Sequence, residues 1–180
     1  MEYTILGYPP DGPTLKLDYR EFAYAGKFVM SNTGKSVVTE DDKILGAIAF
    51  NADYNTATTG HLRYVTVRDS HKGQGIGTQL LRFTAAVLET DRFETILIAV
   101  NNPLAYRACY KAGFQFTGEE TGIAELVLRY DPCGDRDKRT YQDGLAVFES
   151  RDIPPDQQSV LDRTDLPSIG DVPASETSET

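Results

Sequence analysis

The chain has 180 residues, 40% of them hydrophobic, with 10 Tyr and 8 Phe, enough to close the core of one globular domain. Its 27 acidic residues outnumber 18 basic ones for a formal net charge of -9, which argues against general nucleic-acid or anionic-membrane binding, since both need a positive field. Two cysteines in separate elements and two histidines make neither a disulfide framework nor a zinc pattern, so no metal is expected.

No apolar run reaches the ~18 residues of a membrane span, and MEYTILGYPPDGP has neither the basic nor the apolar region of a signal peptide. The cytoplasm is the expected location. The acidic surplus reads as a well-solvated surface, with adaptation to high salt or attraction of a cationic substrate as the sharper alternatives.

In chain order, Tyr8–Pro13 is turn chemistry, and Leu15 and Leu17 alternate with polar neighbours as in a short strand. Asp18 and Glu21 have capping-box spacing, which predicts a helix over Tyr19–Val29 with Phe22 and Tyr24 as packing residues. Lys35–Thr39 and Ile44–Phe50 flank an acidic tip and read as a hairpin, and His61–Arg68 as a third antiparallel strand. Gly46 in the hairpin fits a bulge or close packing.

From Ile76 the period becomes helical, with Ile76, Leu80, Phe83 and Val87 on one face. TILIAV, Thr95–Val100, is a continuous apolar run and hence a covered strand. A short helix over Pro103–Ala112 is followed by strands near Phe114–Gly118 and Ile123–Tyr130. GLAVFES reads as one more strand, and from about Asp152 the Pro-, Asp-, Ser- and Thr-rich sequence is expected to lack structure. The organisation expected is therefore a domain over 1–150 and an acidic tail over 151–180.

The most informative stretch is VTVRDSHKGQGIGTQLL, Val65–Leu81, where a strand runs through a glycine turn straight into an amphipathic helix. Gly73, Gly75 and Gly77 remove side chains, and the first-turn amides of the helix point outward unpaired, so the turn is an anion site. Lys72 adds a positive charge, and phosphate or pyrophosphate is the natural occupant. The spacing is neither G-x-G-x-x-G nor G-x-x-x-x-G-K-[ST].

KGQGIG, Lys72–Gly77, resembles the coenzyme-A signature [RQ]-x-x-G-x-[GA] of the GNAT N-acetyltransferase superfamily, with Lys72 in place of Arg or Gln. A second stretch, NNPLAYRACYKAGF, is similar to that family's N-x-x-A-x-x-x-Y-x-x-x-G-F, with Asn102, Ala105, Gly113 and Phe114 in register. The core of the resemblance runs roughly from residue 60 to residue 130. It implies an α/β (α+β) fold: a mixed, mostly antiparallel central sheet flanked by helices, with a splayed strand pair at the CoA site.

The resemblance also implies acetyl-CoA as cosubstrate, with no metal, and direct attack of a primary amine, on a small molecule or a polypeptide, upon the thioester. Val65, Thr66 and Val67 would meet pantetheine and the oxyanion. Lys72, Gly73, Gln74, Gly75, Ile76, Gly77 and Thr78 would hold pyrophosphate, and Asn102 would contact the cofactor or cap its helix. Partners are then acetyl-CoA and the amine, with no nucleic acid and no membrane; the oligomeric state stays open, a homodimer included.

The family's usual proton donor is the Tyr four residues before the Gly of G-F. Here that position is Cys109, and Tyr110 is displaced by one residue. Helical spacing groups Leu104, Ala105, Ala108, Cys109 and Ala112 on one side and Tyr106, Arg107, Tyr110 and Lys111 on the other. Three readings stand open: Tyr110 as acid, Cys109 as acid, or no dedicated acid, the last leaving room for a non-catalytic acyl-CoA-binding module. His61, Glu119, Glu120 and Glu125 are the candidate bases.

Overall fold

The computed structural model describes residues 1–175, in which seven strands and four α-helices make a mixed, mostly antiparallel α/β fold. The chain divides into two compact units, residues 1–96 with the segment from Asp171 onward, and residues 97–170. No helix of the described residues is long and apolar enough to cross a membrane.

In the first unit, β1 (Glu2–Gly7), β2 (Gly34–Glu40), β3 (Lys43–Ala52) and β4 (Thr59–Val67) pair antiparallel in that order. The expected hairpin is β2–β3, and its tip is a two-residue turn in which Asp41 and Asp42 both have positive φ. Mirror-image turns of this kind match the twist of the flanking strands, and Asp tolerates the left-handed region better than most residues.

Gly46 serves both roles the sequence allowed. The β2–β3 register slips beside it, between Val38 and Thr39, and a Cβ there would lie 3.1 Å from the Thr66 carbonyl oxygen and 3.3 Å from Leu80. The strand β1 has no counterpart among the expected elements, although Tyr3, Ile5 and Gly7 alternate with more exposed neighbours.

The helix α1 (Ile76–Asp91) begins at the expected residue and buries Ile76, Leu80, Phe83, Thr84 and Leu88. Tyr3 packs 5.6 Å from the Phe83 ring and donates its hydroxyl to Gln79, while Thr84 donates to Ser36 inside the core. Another cluster joins Phe28 to Val37, Ala47 and Ala49, with Leu15, Leu17 and Tyr64 against it.

The segment supplying Phe28 corrects two expectations. Leu15 and Leu17 form no strand, Leu15 N–H reaching only the Phe28 carbonyl, and no α-helix spans Tyr19–Val29. Asp18 accepts from the Arg20 amide through its side chain and from the Glu21 and Phe22 amides through its carbonyl, which closes a turn. Tyr24 then takes a left-handed φ of 59° ahead of a single 3-10 turn, Ala25–Lys27. Phe22, Ala25 and Phe28, all buried, recur every three residues, which suits tight turns rather than a 3.6-residue period.

The second unit begins within β5 (Thr95–Val100), whose Leu97–Val100 pair antiparallel with β7 (Leu126–Tyr130), itself paired with β6 (Phe114–Glu120). Around Tyr106 of α2 (Pro103–Lys111) gather the rings of Tyr110, Phe116, Tyr141 and Phe148, with Tyr141 stacked at 5.6 Å and 16°.

GLAVFES is not a strand but the second half of α3 (Lys138–Glu149) and its C-terminal end. Asp137 caps the helix by accepting from the Arg139 and Thr140 amides, and Tyr141, Leu145 and Phe148 recur at helical spacing. Gly144 is required there because a Cβ would collide with the Tyr106 hydroxyl.

Within the stretch expected to lack structure, Pro155–Leu161 is a further helix, α4, with Val160 and Leu161 buried. Arg107 bonds to Asp165, and Arg136 donates to the Pro167 carbonyl. Ser175 bridges to Tyr3 in the first unit, and the expectation for 176–180 lies outside the described residues.

Candidate functional site

In the first unit, β4 passes through one 3-10 turn, Asp69–His71, into the glycine turn and α1. Arg68 fixes the strand end: it donates to the Ile44 carbonyl, forms an ion pair with Glu21 and lies over the Phe22 ring. Gly73 and Gly75 have φ of 78° and 82°, with open space where a Cβ would sit. These two glycines answer a backbone demand. Gly77 answers a packing demand, since its Cβ would come 3.2 Å from Val67.

No side chain caps α1 at Gly75. The Ile76, Gly77 and Thr78 amides in its first turn therefore retain donor capacity for an anion, while the Ile76 side chain is core. Gln74 is exposed and Thr78 half-buried. Lys72 is less free than the sequence suggested, because its Nζ pairs with Asp69 at 2.5 Å. His71 shares a 2.8 Å bond with Ser70.

On β4, Val65 and Val67 are half-buried, and Thr66 is buried with no hydrogen-bond partner for its hydroxyl. An unpartnered buried hydroxyl is costly. The uncapped amides and the open glycine turn at the end of this strand suit a ligand that brings an anion.

Before Val65, the β3–β4 register slips: Ala49 pairs with Tyr64 and Phe50 with Leu62, so Arg63 is the extra residue of a bulge. Arg63 and Tyr64 line a pocket of about 910 Å³ whose other walls include Tyr24, Lys27, Asn51 and Tyr54. The fully buried Lys35 holds its rim, donating to the Met30 carbonyl and to the carbonyl and hydroxyl of Thr33. Tyr24 thus lines a pocket instead of packing inside.

In the second unit, Asn102 accepts from the Ala105 amide at 2.9 Å and Pro103 takes the first helical position, the capping role weighed from sequence. The buried residues of α2 are Pro103, Tyr106, Cys109 and Tyr110, while Leu104 is exposed. The face drawn from hydrophobicity is therefore corrected. The tyrosines are buried because α3 supplies an aromatic wall: Tyr110 lies 4.7 Å from the Tyr141 ring.

Tyr110 accepts the Phe116 N–H at 2.9 Å, with Arg136 over its ring, and burial pushes the phenol above its ordinary range. Burial pushes the Cys109 thiol up to about 12.

The model of the acetyltransferase (GNAT) family matches residues 4–114, more than half of the chain. The chain belongs to the GNAT acetyltransferase family. Similar solved structures include a protein of Streptococcus mutans UA159, 21% identical over 61% of this chain and 78% of its own, with a TM-score of 0.50. Tetrahymena GCN5 is 19% identical over 63% of this chain and 78% of its own, at 0.48. The IAA acetyltransferase of Bacillus cereus ATCC 14579 is 17% identical over 54% and 76%, at 0.45. Among curated proteins, no match to the chain is found.

The GNAT family uses acetyl-CoA and an acceptor, and this GNAT chain is an acetyltransferase with the family's mixed α/β fold. Of the candidate bases, His61 is in the first unit, its Nε2 2.9 Å from Asp53 Oδ2. Asp53 also accepts from the Asn55 and Thr56 amides, and its carboxyl is held below the usual range by the Asn55 amide first and His61 next. Glu119, Glu120 and Glu125 are in the second unit, Glu120 paired with Arg151 at 3.5 Å. The His61–Asp53 pair left no mark in the sequence, because its halves come from a strand and the preceding loop. The 910 Å³ pocket was equally hidden, being assembled from separate segments.

Proposed function

We propose that the chain is an N-acetyltransferase that moves the acetyl group of acetyl-CoA to a primary amine by direct attack. The observation that carries this reading is the continuity of β4. One end of the run Arg63–Val67 borders the tyrosine pocket, and the other leads into the uncapped glycine start of α1. Pyrophosphate on the amides of Gly73 to Thr78 and pantetheine along Val65–Val67 would bring the thioester toward Tyr64, where the pocket delivers the amine.

The amine nitrogen attacks the thioester carbonyl carbon. A C–N bond forms, the C–S bond breaks, CoA leaves as thiolate, and the amine proton passes to a base or to water. Strand amides stabilise the oxyanion, and holding both reactants replaces a bimolecular encounter.

The chemistry runs without a proton donor from α2. This is supported by the buried Cys109, whose thiol is pushed up to about 12, and by the Tyr110 hydroxyl already engaged with the Phe116 amide. A thiolate leaves tolerably without general-acid help, which is typically worth about 10² to 10⁴-fold.

The same burial favours one second reading, a module that binds acyl-CoA without turnover. Release of free thiol from acetyl-CoA with a panel of amines separates them. Amine-dependent release supports the transferase, and a raised melting temperature with acetyl-CoA but no release on any amine supports the module.

A further inference from the structure

The chain carries a net charge of -9, yet its pocket holds Lys27 and Arg63 and no Asp or Glu in its lining. Arg63 Nε donates to Asn51 Oδ1 at 2.7 Å, which orients the guanidinium and leaves its terminal nitrogens without a protein partner among the described residues. Lys27 Nζ lies 5.7 Å from the centre of the Tyr64 ring and likewise has no carboxylate partner there. Asp53, next to the lining residue Tyr54, is occupied by His61 and the Asn55 and Thr56 amides. Tyr24 and Tyr64, centroids 5.9 Å apart, add aromatic walls.

A polyamine or other multiply cationic acceptor would meet two like charges with no carboxylate to receive it. An acceptor with an anionic group meets an oriented planar fork and an ammonium, the pair of donors that carboxylates bind best. We propose that the pocket selects an acceptor amine that also carries a carboxylate, an amino-acid-like molecule whose carboxylate is held by Arg63 with Lys27 beside it. This rests on the acceptor role given to the pocket above, and it reverses the expectation that the acidic chain draws a cationic substrate.

The test compares matched pairs, the amino acids phenylalanine, tyrosine, methionine and glutamine against their amides, by thiol release from acetyl-CoA. A carboxylate held by charged hydrogen bonds is expected to raise kcat/KM by about tenfold or more, mainly through KM. Arg63→Met and Lys27→Met should bring the ratio toward one, and Arg63→Lys, which keeps charge but loses the fork, should restore only part. Amides turned over as well as the acids, or a ratio unmoved by Arg63→Met, overturns the proposal.

If no amine is acetylated, calorimetry of the CoA-saturated protein with N-acetyl amino acids and their amides decides. Tighter binding of the acids, lost in Arg63→Met, upholds carboxylate recognition while the transferase reading fails. Equal binding overturns carboxylate recognition.

Discussion

Two helices of this protein follow strands and begin in opposite ways. Before α1 stand Gly73 and Gly75 in the left-handed region, and no side chain caps the first turn. Before α2 stand Asn102, whose side chain accepts the Ala105 amide, and Pro103, which has no amide to satisfy. With glycine in the cap position, the α1 start gives up only roughly a few tenths of a kcal/mol relative to a side-chain cap. It keeps several aligned donors and the positive end of the helix dipole for a ligand. One helix start leaves its donors open to the anion proposed for it and the other satisfies its own, and the contrast continues down α2, whose tyrosines are buried in aromatic packing.

The largest effect should come from breaking that packing. Tyr110→Ala removes a buried ring from between Tyr106 and Tyr141 and should cost about 3–5 kcal/mol in chemical denaturation. Tyr110→Phe keeps the ring but leaves the Phe116 N–H without its acceptor, for about 1–3 kcal/mol. If the phenol serves structure, Tyr110→Phe lowers stability while kcat with any accepted amine stays within a few-fold. A drop near the general-acid range of about 10² to 10⁴-fold would instead make Tyr110 the acid.

Next in size is an attempt to make α1 resemble α2. Gly75→Asp has open space for its side chain, and Asp tolerates left-handed φ better than most residues. It brings a carboxylate to the amides proposed to hold pyrophosphate. Acetyl-CoA affinity should fall about 10- to 100-fold by calorimetry, from lost dipole and added repulsion, with a much smaller change in melting temperature. Unchanged affinity would move the phosphate site elsewhere.

What the sequence revealed follows the range of the forces involved. The Asp41–Asp42 tip, the glycine start of α1, the apolar β5 and the Asn102–Pro103 cap each depend on neighbours within a few residues, and each sits where expected. One failure is local, the helix expected over Tyr19–Val29, where buried Phe22, Ala25 and Phe28 recur every three residues; others are long-range. GLAVFES is helical because Asp137 caps the segment from upstream, and its Gly144 is required by Tyr106 of another helix.

The face of α2 was misjudged for a related reason. Tyr106 and Tyr110 are buried by aromatic rings of α3, which comes much later in the sequence, whereas the apolar Leu104 has no such cover. The pocket joins Tyr24, Asn51 and Arg63 from three segments, and Arg63 enters it at a bulge that period-two reasoning does not register.

The two cysteines sharpen the same contrast between committed and available groups. Cys133 is exposed and Cys109 buried, so a thiol reagent at neutral pH should titrate one thiol quickly and the second only on unfolding. Burial raises the Cys109 thiol from 9.0 to about 12, so the unfolded chain loses this proton first as pH rises. Its stabilising contribution is complete below pH 9 and declines by about 1.4 kcal/mol per pH unit between there and the folded value. Cys109→Ala should flatten that part of the stability profile.

The smallest effect, and the most direct comparison of the two helix starts, is Asn102→Ala. Losing the cap should cost about 1 kcal/mol, within a range of about 0.5–2, read as a lower denaturation midpoint at unchanged slope. Acetyl-CoA affinity should change by less than about twofold, because a group that only caps its own helix does not touch the ligand. A tenfold loss of affinity would instead make Asn102 a cofactor contact as well as a cap. The division of labour between α1 and α2 would then fail at its first residue.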